Sequence, residues 1–191
     1  MKPHHPTFPS NADLKWLHEA IVQAHAACAA GNLPFGAILV DPSGHMLLRQ
    51  QNTQLSQCDC TGHAETRLVS AASRLYQPEF LRGCTLYASA EPCAMCAGAI
   101  YWSNIGRVVF AASEQQVCEL LEGGVRTLGF DLPCRDVFAR GCKAIEVHGP
   151  VPAVQEAAFA PLREFVALRR DPAGERPGPP GQHSDASVDE G

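Results

Sequence analysis

Behind Ser10-Asn11-Ala12-Asp13, apolar residues recur at helical spacing: Leu14, Leu17, Ile21, Val22 and Ala24 mark one face of a helix. Ser10 with an acid three positions on reads as a capping box, so this helix starts there and ends near Gly31. The apolar run Ala37-Ile38-Leu39-Val40 closes on Asp41-Pro42-Ser43-Gly44, which is turn chemistry, and predicts a hairpin whose second strand covers residues 45–50. Residues 52–62 are polar and predict a loop. Helical spacing returns at Ala64, Leu68, Val69, Ala71, Ala72 and Leu75. A strand over 84–88, a helix from Cys93 to about Trp102 and a strand over 107–111 follow, and a strand-helix-strand unit implies a right-handed crossover within one sheet.

The rest of the chain predicts a helix over 113–121, an irregular stretch over 123–140, a last strand over 144–148 and a helix over 154–168 that Pro161 bends or restarts. Residues 1–10 are polar and proline-rich and predict a flexible N-terminus. Residues 171–191 are rich in Pro, Gly, Ser and acids without apolar spacing and predict a disordered tail. Residues 11–170 then form one α/β domain, large enough to bury a core without staples.

Charge narrows the range of partners. The chain carries a formal −5, but its tail holds five acids against a single arginine, so the folded part is close to neutral. A surface that holds structured nucleic acid is usually basic, and Arg169-Arg170 is the only adjacent basic pair, a pattern that also suits a helix C-terminus. No run approaches the roughly 20 apolar residues of a membrane span and no signal peptide opens the chain, so a cytoplasmic protein with no membrane partner is expected. Nine cysteines, an odd number, fit free thiols and metal ligands better than a disulfide framework. Cys28, Cys84, Cys118 and Cys142 read as small buried hydrophobes, and Cys58 and Cys60 as loop thiols.

Two short pieces carry the chemistry: Thr61-Gly62-His63-Ala64-Glu65 and Glu91-Pro92-Cys93-Ala94-Met95-Cys96. They supply one imidazole, two thiols and a carboxylate not needed as a ligand, which is the set for one zinc ion per chain with a position kept for water. Cys93 and Cys96 fall at one helix start and His63 at another, so two helices are expected to meet head-on at the metal, where their dipoles favour thiolates. Glu65, two positions from His63, is placed to carry protons rather than to ligate. His-x-Glu followed by Pro-Cys-x-x-Cys is the zinc deaminase signature. A lone Cys-x-x-Cys has redox and structural-zinc readings, but its conjunction with His-x-Glu in this order is specific. Phe35 and Trp102 are candidates to stack on a substrate ring or, equally, to pack in the core.

These motifs resemble those of the cytidine deaminase-like superfamily, over about residues 20–168. Pro34-Phe35-Gly36-Ala37, Asn52, His63-Ala64-Glu65 and the segment from Glu91 to Ile100 are similar to guanine deaminases and tRNA adenosine deaminases. Tyr101-Trp102, Gly129-Phe130-Asp131 and Leu162-Arg163-Glu164-Phe165 lean toward guanine deaminases. The resemblance implies a three-layer α/β/α fold around a mixed five-stranded sheet, zinc on His63, Cys93 and Cys96, and Glu65 as proton shuttle. It further implies that Asn52 and the Ala64 backbone N–H bond the base, with Asp131 also at the substrate, and that the chain forms a homodimer, in guanine deaminases with an exchanged C-terminal segment. One position departs. Where guanine deaminases carry a second acid after Gly-Phe-Asp, this chain has Leu132, which widens the expected substrate from guanine to other aminopurines, pterins and triazines. The rival readings are a tRNA-specific adenosine deaminase, against which the near-neutral charge argues, and a zinc-stabilised binding module without turnover.

Overall fold

The computed structural model describes residues 8–122 and 130–170. The expected tail, most of the expected N-terminal segment and Gly129 lie outside the described residues. Helix α1 (Asn11–Ala29) opens on the capping box read from the sequence: Ser10 Oγ accepts from the Asp13 N–H at 3.1 Å, and the Asp13 carboxylate accepts from the Ser10 N–H at 3.0 Å. Its end turns on Gly31, whose φ of +76° is left-handed.

Strands β1 (Gly36–Val40) and β2 (Met46–Gln51) form the hairpin, with Gly44 at φ +83° in the turn. Then come α2 (Ala64–Leu75), a short α3 (Pro78–Leu81), β3 (Thr85–Ala90), α4 (Ala94–Ser103), β4 (Arg107–Ala112), α5 (Glu114–Glu122), α6 (Cys134–Ala139), β5 (Glu146–His148) and α7 (Pro152–Arg170). The five strands form one sheet in the order β2-β1-β3-β4-β5. β1 is antiparallel to both neighbours, whereas β3, β4 and β5 run parallel.

Two-residue alternation divides the core. Leu39, Leu86, Ala88, Val108 and Phe110 face a cluster with Leu68 of α2, Ile100 of α4 and Phe138 of α6. Ile38, Val40, Tyr87, Val109 and Ala111 face the other side, with Leu17 and Ile21 of α1 and Leu162 of α7. The result is the expected three-layer arrangement. Gly36 permits the close approach of α1 to β1, because a Cβ there would lie 2.3 Å from the Ala20 carbonyl oxygen.

Four expectations are corrected. The stretch read as irregular contains α6, whose Cys134, Val137 and Phe138 sit at i, i+3 and i+4 and turn inward. The last strand starts at Glu146 rather than 144, because β4 begins at Arg107, the partner of Glu146, and earlier residues have no strand to pair with. Pro161 does not restart the helix, which runs unbroken through it as α7: Val154, Ala158, Leu162 and Phe165 stay buried on one face across it, and this packing offsets the lost backbone bond. Cys142 is exposed, held in a turn over Tyr101 rather than in the core.

Candidate active site and metal centre

Both helices expected at the metal start there. His63 is the N-cap of α2 and Cys93 the N-cap of α4, and neither start has a side-chain cap. Their first N–H groups and dipoles face the site and favour thiolates. His63, Cys93 and Cys96 form a three-residue group whose ligand atoms all lie within 4.8 Å of one another. His63 Nδ1 is 3.7 Å from Cys93 Sγ and 3.6 Å from Cys96 Sγ. Tetrahedral zinc, with bonds of about 2.3 Å to sulfur and about 2.0 Å to nitrogen, requires sulfur-to-nitrogen separations of about 3.6 Å. The donor set therefore fits zinc in kind and in size. The neighbouring Cys96 thiol and, after it, the His63 imidazole outweigh burial and hold the Cys93 sulfur down at about 4, while Cys96, facing Cys93 and buried, is pushed up.

Glu65 lies in the first turn of α2, 5% exposed, with its Oε2 3.6 Å from Cys96 Sγ. It makes no ion pair among the described residues. Burial pushes its carboxyl up to about 7, where a group can both take and give a proton near neutrality.

Asn52 sits where β2 ends. Gln51 pairs with Gly36, and β1 runs antiparallel to β3 with Ala37 against Ala88. Asn52 is therefore at the sheet end where β3 delivers Glu91-Pro92-Cys93. Its N–H donates to the Phe35 carbonyl at 3.0 Å, and its Oδ1 accepts from the Gln54 N–H at 2.9 Å. The remaining Nδ2 is fully buried and has no partner among the described residues. Ala64 is the first residue of α2, so its N–H has no acceptor within the helix.

The other expected substrate residues are Phe35, Trp102 and Asp131. Phe35 packs its ring against the α1–α7 cluster. Trp102 stands 80% exposed near the far end of α4, edge-on to Tyr101, and nine residues along that helix put it about 13 Å from Cys93. The structure thus does not bring Trp102 to the metal group within the chain. Asp131 is exposed in the approach to α6, and Leu132 beside it is exposed too. Cys58 and Cys60 are exposed loop thiols as expected, and no disulfide joins any of the cysteines among the described residues.

Further residues support the site from outside the metal group. The Glu91 carboxylate accepts from the backbone N–H of Glu114 at 3.3 Å and of Cys134 at 3.2 Å, joining the metal loop to the starts of α5 and α6. Ser89 Oγ accepts from the Gly36 N–H at 3.1 Å. Arg67 and Asn32 hold the loop that carries Asn52; the only sequence signal for Arg67 is its place one helical turn after His63.

Residues 10–112 match the family model described as "Cytidine and deoxycytidylate deaminase zinc-binding region". The chain belongs to this family. It binds zinc, through a donor set that the described residues assemble, and it is a zinc-dependent hydrolytic deaminase. Among family relatives, it is 36% identical over 156 residues to a "Probable cytosine deaminase" of Schizosaccharomyces pombe, covering 82% of this chain and 93% of that one. It is 40% identical over 105 residues to the "tRNA-specific adenosine deaminase" of Haemophilus influenzae, covering 55% of this chain and 61% of that one. A solved structure described as guanine deaminase from Nitrosomonas europaea superposes with a TM-score of 0.66 at 26% identity, covering 83% of this chain and 85% of that one. Among the described residues, no helix is long and apolar enough to cross a membrane.

Proposed function

We propose that this deaminase acts on a small amino-heterocycle, a purine-like free base of the guanine type, replacing its exocyclic amine by a carbonyl oxygen and releasing ammonia. One observation carries the reading: a buried carboxyl group stands against a zinc cage at the same sheet end as a buried amide, and among the described residues the carboxyl has no ion pair and the amide has an unspent donor. Zinc bound by His63, Cys93 and Cys96 supplies Lewis acidity and brings the pKa of water to about 7. Glu65 then moves protons, first to a ring nitrogen and then to the departing amine. Asn52 Nδ2 donates to an acceptor on the ring, because its Oδ1 is already engaged by the Gln54 N–H. The Ala64 N–H offers a second donor at the helix start. The resemblance of the overall fold to a guanine deaminase structure, covering most of both chains, supports a free-base substrate.

A second reading, a pyrimidine base of the cytosine type, is favoured by the Schizosaccharomyces pombe relative, which is matched over 93% of its length. An ammonia-release screen over guanine, adenine, cytosine, their nucleosides, pterins, aminotriazines and tRNA separates these readings. Glu65→Gln is the control: it retains zinc and loses turnover by about 100-fold or more. Ammonia from tRNA alone, or full activity of Glu65→Gln, refutes the proposal.

A further inference from the structure

The loop over residues 52–62 is held from two sides. On one side Asn32, just after α1 and almost fully buried, accepts through Oδ1 from the Leu55 N–H at 3.0 Å and the Ser56 N–H at 2.9 Å. Its Nδ2 donates to Ser56 Oγ at 3.1 Å. On the other side Arg67 reaches back from α2. Its Nη1 donates to Thr53 Oγ1 at 2.7 Å and to Gln57 Oε1 at 2.9 Å, and its Nη2 to Gln50 Oε1 at 3.3 Å.

Arg67 is also tied to the metal end of its helix, since its N–H donates to the His63 carbonyl at 3.0 Å. The guanidinium thus connects the helix that presents His63 and Glu65 to Thr53, the residue next to Asn52. Arg67 Nε is buried without an acceptor among the described residues. An unsatisfied buried donor is unfavourable, so a plain apolar stem would fill this place at lower cost; the contacts made by the two Nη groups are what the arginine adds.

We infer that Arg67 is a positioning residue for substrate capture: it fixes the register of Thr53 against α2, and thereby the direction in which Asn52 aims its free amide donor. This rests on the reading of Asn52 as a substrate contact. The Arg67 guanidinium bonds Thr53, Gln57 and Gln50 and none of the metal-binding side chains, so its removal acts on binding and not on the proton transfers of Glu65.

The test uses the full-length zinc enzyme with guanine, or with cytosine if guanine is not turned over. Asn52→Ala, Arg67→Met, Arg67→Lys, Thr53→Val and the Asn52→Ala/Arg67→Met double variant are compared for KM, kcat and zinc content. Arg67→Met is expected to raise KM about tenfold while kcat and zinc content stay within about twofold, since small misplacements of a binding group cost this much or more. Arg67→Lys should recover part of the loss, and Thr53→Val, which removes the acceptor, should shift KM in the same direction. In the Asn52→Ala background Arg67→Met should add less than about twofold, the signature of two residues acting as one unit. An unchanged KM in Arg67→Met beside a raised KM in Asn52→Ala overturns the inference and leaves the Asn52 reading standing. Fully additive effects also overturn it. An unchanged KM in Asn52→Ala overturns the Asn52 reading and this inference with it. If Arg67→Met does not fold, Thr53→Val decides by the same criterion.

Discussion

Asp13 is the charge whose removal is most informative about stability. It is 4% exposed, and its carboxylate accepts from Arg107 Nη1 at 2.8 Å, from the Tyr87 hydroxyl at 3.0 Å and from the Ser10 N–H at 3.0 Å. One side chain thus ties the start of α1 to β3 and β4. Burial opposes its charge, but Arg107 and Ser10 outweigh burial and hold the carboxyl down at about 2, against an ordinary 3.8. At 1.36 kcal/mol per pKa unit this corresponds to about 2.4 kcal/mol, and because Arg107 is about a quarter exposed, solvent screening leaves about 1.5–2 kcal/mol. A depressed folded pKa means that the unfolded chain binds the proton first. The contribution is therefore complete above pH 4 and is lost as pH falls through about 2. Asp13→Asn should lower unfolding free energy at pH 7 by about 2 kcal/mol, or melting temperature by about 4–8 °C, with the metal site and kcat unaffected. Urea denaturation of both proteins at pH values from 7 down to 2.5 reads this directly. The gap between them should close as the solution becomes acid. A gap absent at pH 7, or one that widens in acid, refutes the assignment.

Two further outcomes follow from packing and metal. Gly36→Ala should destabilise by about 1–3 kcal/mol or more, because its Cβ would meet the Ala20 carbonyl oxygen at 2.3 Å and Gln23 Cβ at 2.5 Å; an unchanged urea midpoint would show that α1 does not approach β1 so closely. Stripping zinc with a chelator should abolish turnover and lower the melting temperature by about 10 °C, since metal present at about 1,000 times its Kd stabilises by about 4 kcal/mol; equal melting of the zinc-free and zinc-loaded protein would mean that the cage does not contribute to the fold.

The metal centre was readable in the sequence because its geometry is set locally. Cys93 and Cys96 share one helix start and His63 begins another, so short-range pattern already decides which side chains point to the ends of which helices. The capping box of α1 was readable for the same reason. Trp102 shows where that logic stops. Helix α4 is apolar nearly all round, so its sequence does not say which face meets the core, and Ile100 is buried while Trp102, two positions on, is exposed. Helix α6 has only six residues, too short for its spacing to stand out.

The part of the site that chooses a substrate depends instead on non-local pairing. Asn52 reaches the metal end because β1 reverses direction relative to β3 and carries the end of β2 there with it, a relation between strands some 50 positions apart in sequence. The path of its loop is then set by Asn32 before the hairpin and Arg67 after it, neither of which has a pattern that marks it. Spacing along the chain therefore reveals that this protein holds zinc beside a carboxyl group, whereas the atoms that would distinguish one heterocycle from another are placed by the sheet and by side chains distant in sequence. This is why substitutions at Arg67 and Thr53 should alter substrate capture while those at Glu65 alter turnover: the two functions are carried by separate sets of contacts that meet at the start of α2.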